Sequence, residues 1–196
     1  MTELDAVEVT FLVVDTLDRL EIPYLIGGSL ASAIYGISRS TLDTDIVVKM
    51  GTEHISLLVN ELADEFYIEA NMILDAFIHQ TSFNIIHLQT MFKVDFFLLQ
   101  DRPYDEMQFR RRILLQIATD PERVAFVSTP EDIILTKLEW YSMGGEISDR
   151  QWRDVLGVIK TQVGRLDLEY LKKWAVDLGV EKLLETAFQD TADDNE

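Results

Sequence analysis

The stretch Phe92-Lys93-Val94-Asp95-Phe96-Phe97-Leu98-Leu99 places one carboxylate in the middle of a run otherwise suited to a buried strand. An ionised carboxylate among large apolar neighbours is costly unless it is paired or bound to a cation. The chain is therefore held to folds that bring positive charge to a covered strand. Lys93 is read here as a neighbour in sequence only, pointing to the other face. That leaves a distant arginine or a metal ion as the partner of Asp95.

The surrounding pattern alternates helices and short strands. Apolar residues recur every three or four positions from Leu4 to Leu20, which predicts an amphipathic helix ended by Pro23. Tyr24-Leu25-Ile26 reads as a strand running into Gly27-Gly28, after which Ser29 to Tyr35 has helical spacing. Asp45 to Lys49 is a further strand with Asp43 and Asp45 at its entrance, followed by a helix over 52–64 and a short one over 70–78. Ser82–Leu88 and Phe92–Leu99 form a β-hairpin, 104–112 is ambiguous, and 113–117 and 123–127 are strands about the turn residues Asp120-Pro121. Beyond Ser128 the texture turns helical. Thr129 caps a helix reaching Met143, further helices cover 149–163, 167–178 and 181–188, and the acidic tail from Asp190 frays.

Two other features accompany Asp95. Glycines before a helix expose backbone N–H groups at its partially positive end, so Gly27-Gly28-Ser29 offers an anion site; a plain tight turn is the alternative. Asp43 and Asp45 project to one side of their strand, with Thr44 turned away. At roughly 4 Å and an effective dielectric near 20, two carboxylates repel by about 4 kcal/mol, which calls for a cation or a raised pKa. Polar residues at a strand edge are the simpler account. Placing Asp95 beside this pair would complete a three-carboxylate site suited to two-metal phosphoryl or nucleotidyl transfer.

Gly27-Gly28-Ser29, Arg39-Ser40-Thr41-Leu42-Asp43-Thr44-Asp45 and Lys93-Val94-Asp95-Phe96-Phe97 together resemble the signature of the DNA polymerase β-type nucleotidyltransferase superfamily. The Arg-x-Thr-x-Asp-x-Asp form is similar to its AbiEii/MenT-like branch, which includes toxins of toxin–antitoxin pairs. The resemblance covers most of the first hundred residues. It implies an α+β nucleotidyltransferase core, a short mixed twisted sheet flanked by helices over residues 1–128, with a C-terminal helical bundle over 129–196 packed on it. It further implies that Gly28 and Ser29 bind the triphosphate, that Asp43, Asp45 and Asp95 are catalytic and hold two Mg²⁺ ions during turnover, and that Asp95 helps activate the attacking group. Lys137, in Pro130-Glu131-Asp132-Ile133-Ile134-Leu135-Thr136-Lys137-Leu138, matches a phosphate-contacting lysine, and Arg39 is assigned to the loop or the phosphates. Arg150 and Asp154 resemble a closing helix motif, although their spacing alone gives only an i, i+4 pair. Thr44 departs from the pattern, standing where an apolar residue is commoner.

Composition sets limits on this reading. With 196 residues, 47% of them apolar, the chain can bury a sizeable core, and no run approaches the roughly 20 apolar residues of a membrane span. The acidic start lacks the basic opening of a secretory signal. Having no cysteine removes thiolate zinc sites and a thiol nucleophile, and it fits a cytoplasmic location. A net charge of −18 argues against a protein that coats nucleic acid. His54, His79 and His87 have no zinc spacing and are expected to be surface or partly buried imidazoles. Arg110-Arg111-Arg112 could grip a tRNA end or belong to a salt-bridged element, and Trp140, Trp152 and Trp174 are expected in the helical core. The partners implied are a nucleoside triphosphate, an acceptor that could be tRNA, a protein or a small molecule, and a cognate antitoxin. A weakly active or inactive nucleotide-binding protein of the same fold is the alternative, with a carboxylate-metal phosphohydrolase third.

Overall fold

The computed structural model of the chain describes residues 5–37, 41, 43–119 and 122–193, with the backbone alone at Thr119 and Asp193. The turn expected at Asp120-Pro121 lies outside the described residues. In chain order the elements are α1 (Ala6–Arg19), β1 (Tyr24–Ile26), α2 (Gly28–Tyr35), β2 (Asp43–Val48), α3 (Ile55–Leu62), β3 (Phe66–Tyr67), α4 (Ala70–His79), β4 (Ser82–His87), β5 (Lys93–Leu98), α5 (Pro103–Arg111), β6 (Ile113–Thr119), β7 (Glu122–Val127), α6 (Pro130–Met143), α7 (Asp149–Thr161), α8 (Leu168–Asp177) and α9 (Glu181–Asp193). This is the α+β class expected from the sequence. Two compact units are found, Met1–Leu30 with Ser40–Val127, and Ala31–Arg39 with Ser128–Glu196. No described helix is long and apolar enough to cross a membrane.

The first unit is built on a seven-stranded mixed sheet in the order β3-β4-β5-β2-β1-β7-β6. β2 runs parallel to β5 and antiparallel to β1, so it is a central strand, paired on both sides. The outer strands β3 and β6 differ: β3 has two residues, whereas β6 has seven and a register shift between Gln116 and Ala118.

α1 begins with a capping box, in which Asp5 accepts from the Val7 and Glu8 amides while Glu8 accepts from the Asp5 amide. Its Val9, Val13, Val14 and Leu17 are fully buried. Thr10 Oγ1 lies 2.8 Å from Thr44 Oγ1 and donates to the Ala6 carbonyl. The unusual Thr44 is thus a wholly buried hydroxyl with a partner on α1, which satisfies a group that would otherwise be costly inside the core.

The structure turns one open segment into a helix and corrects two expectations. The ambiguous segment after Pro103 is helix α5, with the proline at its first position and Tyr104, Gln108 and Phe109 on its buried side. His87 is almost wholly buried, because the alternation along β4 turns it inward; its ring lies 5.2 Å from that of Phe66 and its Nδ1 is 2.8 Å from Thr90 Oγ1. Over the described residues 190–193 the chain is helical rather than frayed: α9 runs to Asp193, and Asp190 accepts from the Trp152 indole at 3.1 Å.

In the second unit, Thr129 caps α6, and the fully buried Asp132 accepts from the hydroxyls of Thr129 at 2.7 Å and Tyr170 at 2.6 Å. The Tyr35 carbonyl at the end of α2 accepts from Thr161 Oγ1 and from Gln162 Nε2 on the α7 side. Gly36 follows because a Cβ there would meet the Val158 amide nitrogen at 3.1 Å. Trp174 is buried as expected, but Trp140 is 48% exposed and so is not a core residue.

Candidate active site

Two strands far apart in sequence bring the charged residues together. β2 and β5 pair in parallel with Asp43 opposite Lys93 and Asp45 opposite Asp95. Alternation along each strand then fixes the faces. Thr44, Ile46, Val48, Val94 and Phe96 are buried on one side, and Asp43, Asp45, Lys93 and Asp95 share the other. On β4, Asn84 stands opposite Asp95 and adds an amide to the same face. Sequence reading missed Asn84 because nothing local set it apart; only the hairpin register reveals it.

Lys93 requires a correction. Residues two apart in a strand share a face, so Lys93 and Asp95 point the same way, and Lys93 Nζ lies 2.7 Å from Asp95 Oδ2. The partner of Asp95 is therefore this lysine rather than a distant arginine. The hydrogen bond to Asp95 raises the Lys93 pKa above the usual lysine value; partial burial opposes this, and the fields of Asp95, Asp43 and Asp45 add to it. Lys93 is accordingly an ammonium at neutral pH.

The glycine turn lies directly against the carboxylates. The Gly27 amide donates to the Asp45 carbonyl at 2.9 Å, and Gly28 adopts a φ of +56°. A Cβ on Gly28 would fall 1.6 Å from Asp45 Oδ2 and 2.8 Å from Asp45 Cβ, so only glycine fits. Ser29, buried in the first turn of α2, follows at once. The partially positive N-terminal end of α2 is thus set beside the carboxylate face, with Gly28 directly against Asp45. Thr41 Oγ1 sits 3.0 Å from Asp43 Oδ1 and 2.8 Å from the Asp43 carbonyl, which makes it an orienting residue that the sequence motif contained without a role.

Gly28→Ala is expected to lower stability by about 2 kcal/mol, from the left-handed backbone together with displacement of Asp45. Urea unfolding would measure this. A loss under 0.5 kcal/mol would mean that Asp45 does not rest on the glycine.

The donors suit Mg²⁺ in chemistry, because hard ions take oxygen ligands and Mg²⁺ characteristically uses one or two carboxylates, substrate phosphates and retained waters. Asp43 and Asp45 supply that number. Among the described residues, no three acidic or imidazole side chains converge as a ready cage. Asp95 is engaged by Lys93 instead.

Arg39 is outside the described residues. Lys137 belongs to the second unit, where its Nζ is 2.9 Å from Asp154 Oδ2 and the two side chains are 10% and 8% exposed. In the basic run, Arg112 has its guanidinium 4.4 Å from the Phe109 ring centroid and 4.9 Å from that of Phe126, while Arg110 approaches Glu106 at 3.8 Å. Arg112 is thus built into the packing rather than presented to a polyanion.

No family model matches the chain, and no curated protein matches it in sequence. Its fold is similar to that of an antigenic nucleotidyltransferase-like protein from Paracoccidioides brasiliensis, 19% identical at a TM-score of 0.56, over 95% of this chain and 94% of that one. It is also similar to the lincosamide antibiotic adenylyltransferase LnuA with lincomycin bound, 14% identical at 0.52, over 80% and 98%. A third is the antibiotic-resistance factor ANT(2'')-Ia, 14% identical at 0.55, over 95% and 100%. These likenesses establish a nucleotidyltransferase-type fold.

Proposed function

We propose that this chain, which has a nucleotidyltransferase-type fold, transfers a nucleoside monophosphate from a nucleoside triphosphate to an acceptor hydroxyl. The observation that carries the reading is the contact between Gly28 and Asp45, which joins the glycine turn to the carboxylate face. Asp43 and Asp45, joined by Asp95, would hold Mg²⁺, which would supply neutralisation of the phosphate oxygens and draw charge from the scissile bond. The first turn of α2, with Gly28 and Ser29, would hold the β and γ phosphates. Asp95, next to Asp45 in register, would orient the acceptor hydroxyl and take up its proton. The acceptor oxygen forms a bond to the α-phosphorus, the bond to the β-phosphate oxygen breaks, and pyrophosphate leaves. Lys137 and Arg39 enter this reading through the resemblance alone.

The AbiEii/MenT-like likeness makes a cytoplasmic toxin with a cognate antitoxin part of the proposal. The acceptor is a tRNA, a protein or a small molecule, and the net charge of −18 favours the shorter acceptors. A binding protein with little turnover is the second reading, and the ion pair that engages Asp95 favours it. The test is incubation with α-labelled triphosphates, Mg²⁺ and an acceptor screen. Mg²⁺-dependent label transfer with pyrophosphate release supports the transferase. Binding without turnover supports the second reading, and inorganic phosphate with no labelled acceptor indicates a phosphohydrolase.

A further inference from the structure

We propose that Lys93 is a resident counter-ion of the carboxylate face, whose ammonium must leave Asp95 before that carboxylate can serve a divalent cation. The inference rests on the metal-binding reading of Asp43 and Asp45 given above. Four charged side chains occupy adjacent positions on two paired strands, three of them negative and one positive. The lysine stands opposite Asp43 and two residues before Asp95, and its ammonium sits 2.7 Å from Asp95 Oδ2, where a cation ligated by Asp95 would compete for the same oxygen. The two partners differ in their freedom to move. Asp95 is 17% exposed, on a short side chain in a central strand, whereas Lys93 is 43% exposed on a four-carbon stem. The lysine is therefore the member that can swing away. Its Coulomb gain, made near solvent, is small enough for a divalent ion to overcome.

Two consequences distinguish this from an ordinary surface ion pair. Removing the lysine should strengthen divalent-ion binding, and the gain should depend on Asp95. The experiment is a Mn²⁺ titration, with free ion followed by electron paramagnetic resonance, on the wild type, K93M, K93Q, D95N and the K93M/D95N double variant. Lys49→Met is the charge control, because Lys49 follows β2 at the far end from Asp43 and pairs with Glu106 at 3.2 Å. The expected result is about fivefold tighter Mn²⁺ binding in K93M and K93Q, with no gain from K93M in the D95N background. K49M should bind as the wild type does, since its distant charge is screened.

Equal tightening in K93M and K49M would show a general charge effect and overturn the proposal, as would the same gain with or without Asp95. Unchanged or weaker binding in both Lys93 variants would also overturn it. The metal reading fails separately if Asp43→Asn with Asp45→Asn binds Mn²⁺ as the wild type does. If neither the wild type nor K93M binds Mn²⁺, both ideas fall together.

Discussion

Asp45→Asn should lower the rate of Mg²⁺-dependent triphosphate consumption by on the order of 10³-fold, equivalent to about 4 kcal/mol of transition-state stabilisation. The substitution keeps the shape of the side chain that rests on Gly28 and removes only its charge, so the fold should be retained. Asp43→Asn should act in the same direction. The measurement is the initial rate at saturating nucleotide and Mg²⁺, with a thermal melt to show that the variant is folded. A folded Asp45→Asn protein retaining more than a tenth of wild-type activity would remove Asp45 from the chemistry.

Lys137→Met should destabilise the helical unit by about 3 kcal/mol. Lys137 and Asp154 are nearly buried, and removing one member of such a pair leaves the other's charge in a poorly solvated place. The figure is set at the low end because Asp154 has further polar contacts. Adding Asp154→Leu should recover much of the loss, since an apolar pair of similar volume can replace a buried ion pair. Urea unfolding of the single and double variants measures both effects. The sequence resemblance assigns Lys137 to phosphate instead. A Lys137→Met protein of normal stability with weakened triphosphate binding would decide for that role.

The sequence made the individual elements readable, while their neighbours across the sheet stayed hidden. Tyr24–Ile26, the hairpin of β4 and β5, and the cap at Thr129 were legible because a turn residue, an alternating run or a capping side chain acts locally. β3 escaped notice because two residues are too few to show a period. α5 was ambiguous because its buried Tyr104, Gln108 and Phe109 are scattered among charged residues. The carboxylates were legible as unusual residues, and their shared face rests on the pairing of β2 with β5. Lys93 was misplaced by a parity error, although the two-residue period was available in the sequence. Asn84, and the hydroxyl on α1 that satisfies Thr44, could be identified only from contacts between distant segments.

The edge strands of a sheet can pair with strands from other copies of a chain, and the two outer strands here differ in what they offer. β3 offers too short a ladder to seed an intermolecular pairing. β6 is long and carries the half-exposed Leu114, but the register shift between Gln116 and Ala118 interrupts its regular pairing, a kind of irregularity that disfavours flat edge-to-edge association. That irregularity therefore acts against aggregation, and straightening it should lower the concentration at which the protein stays monodisperse.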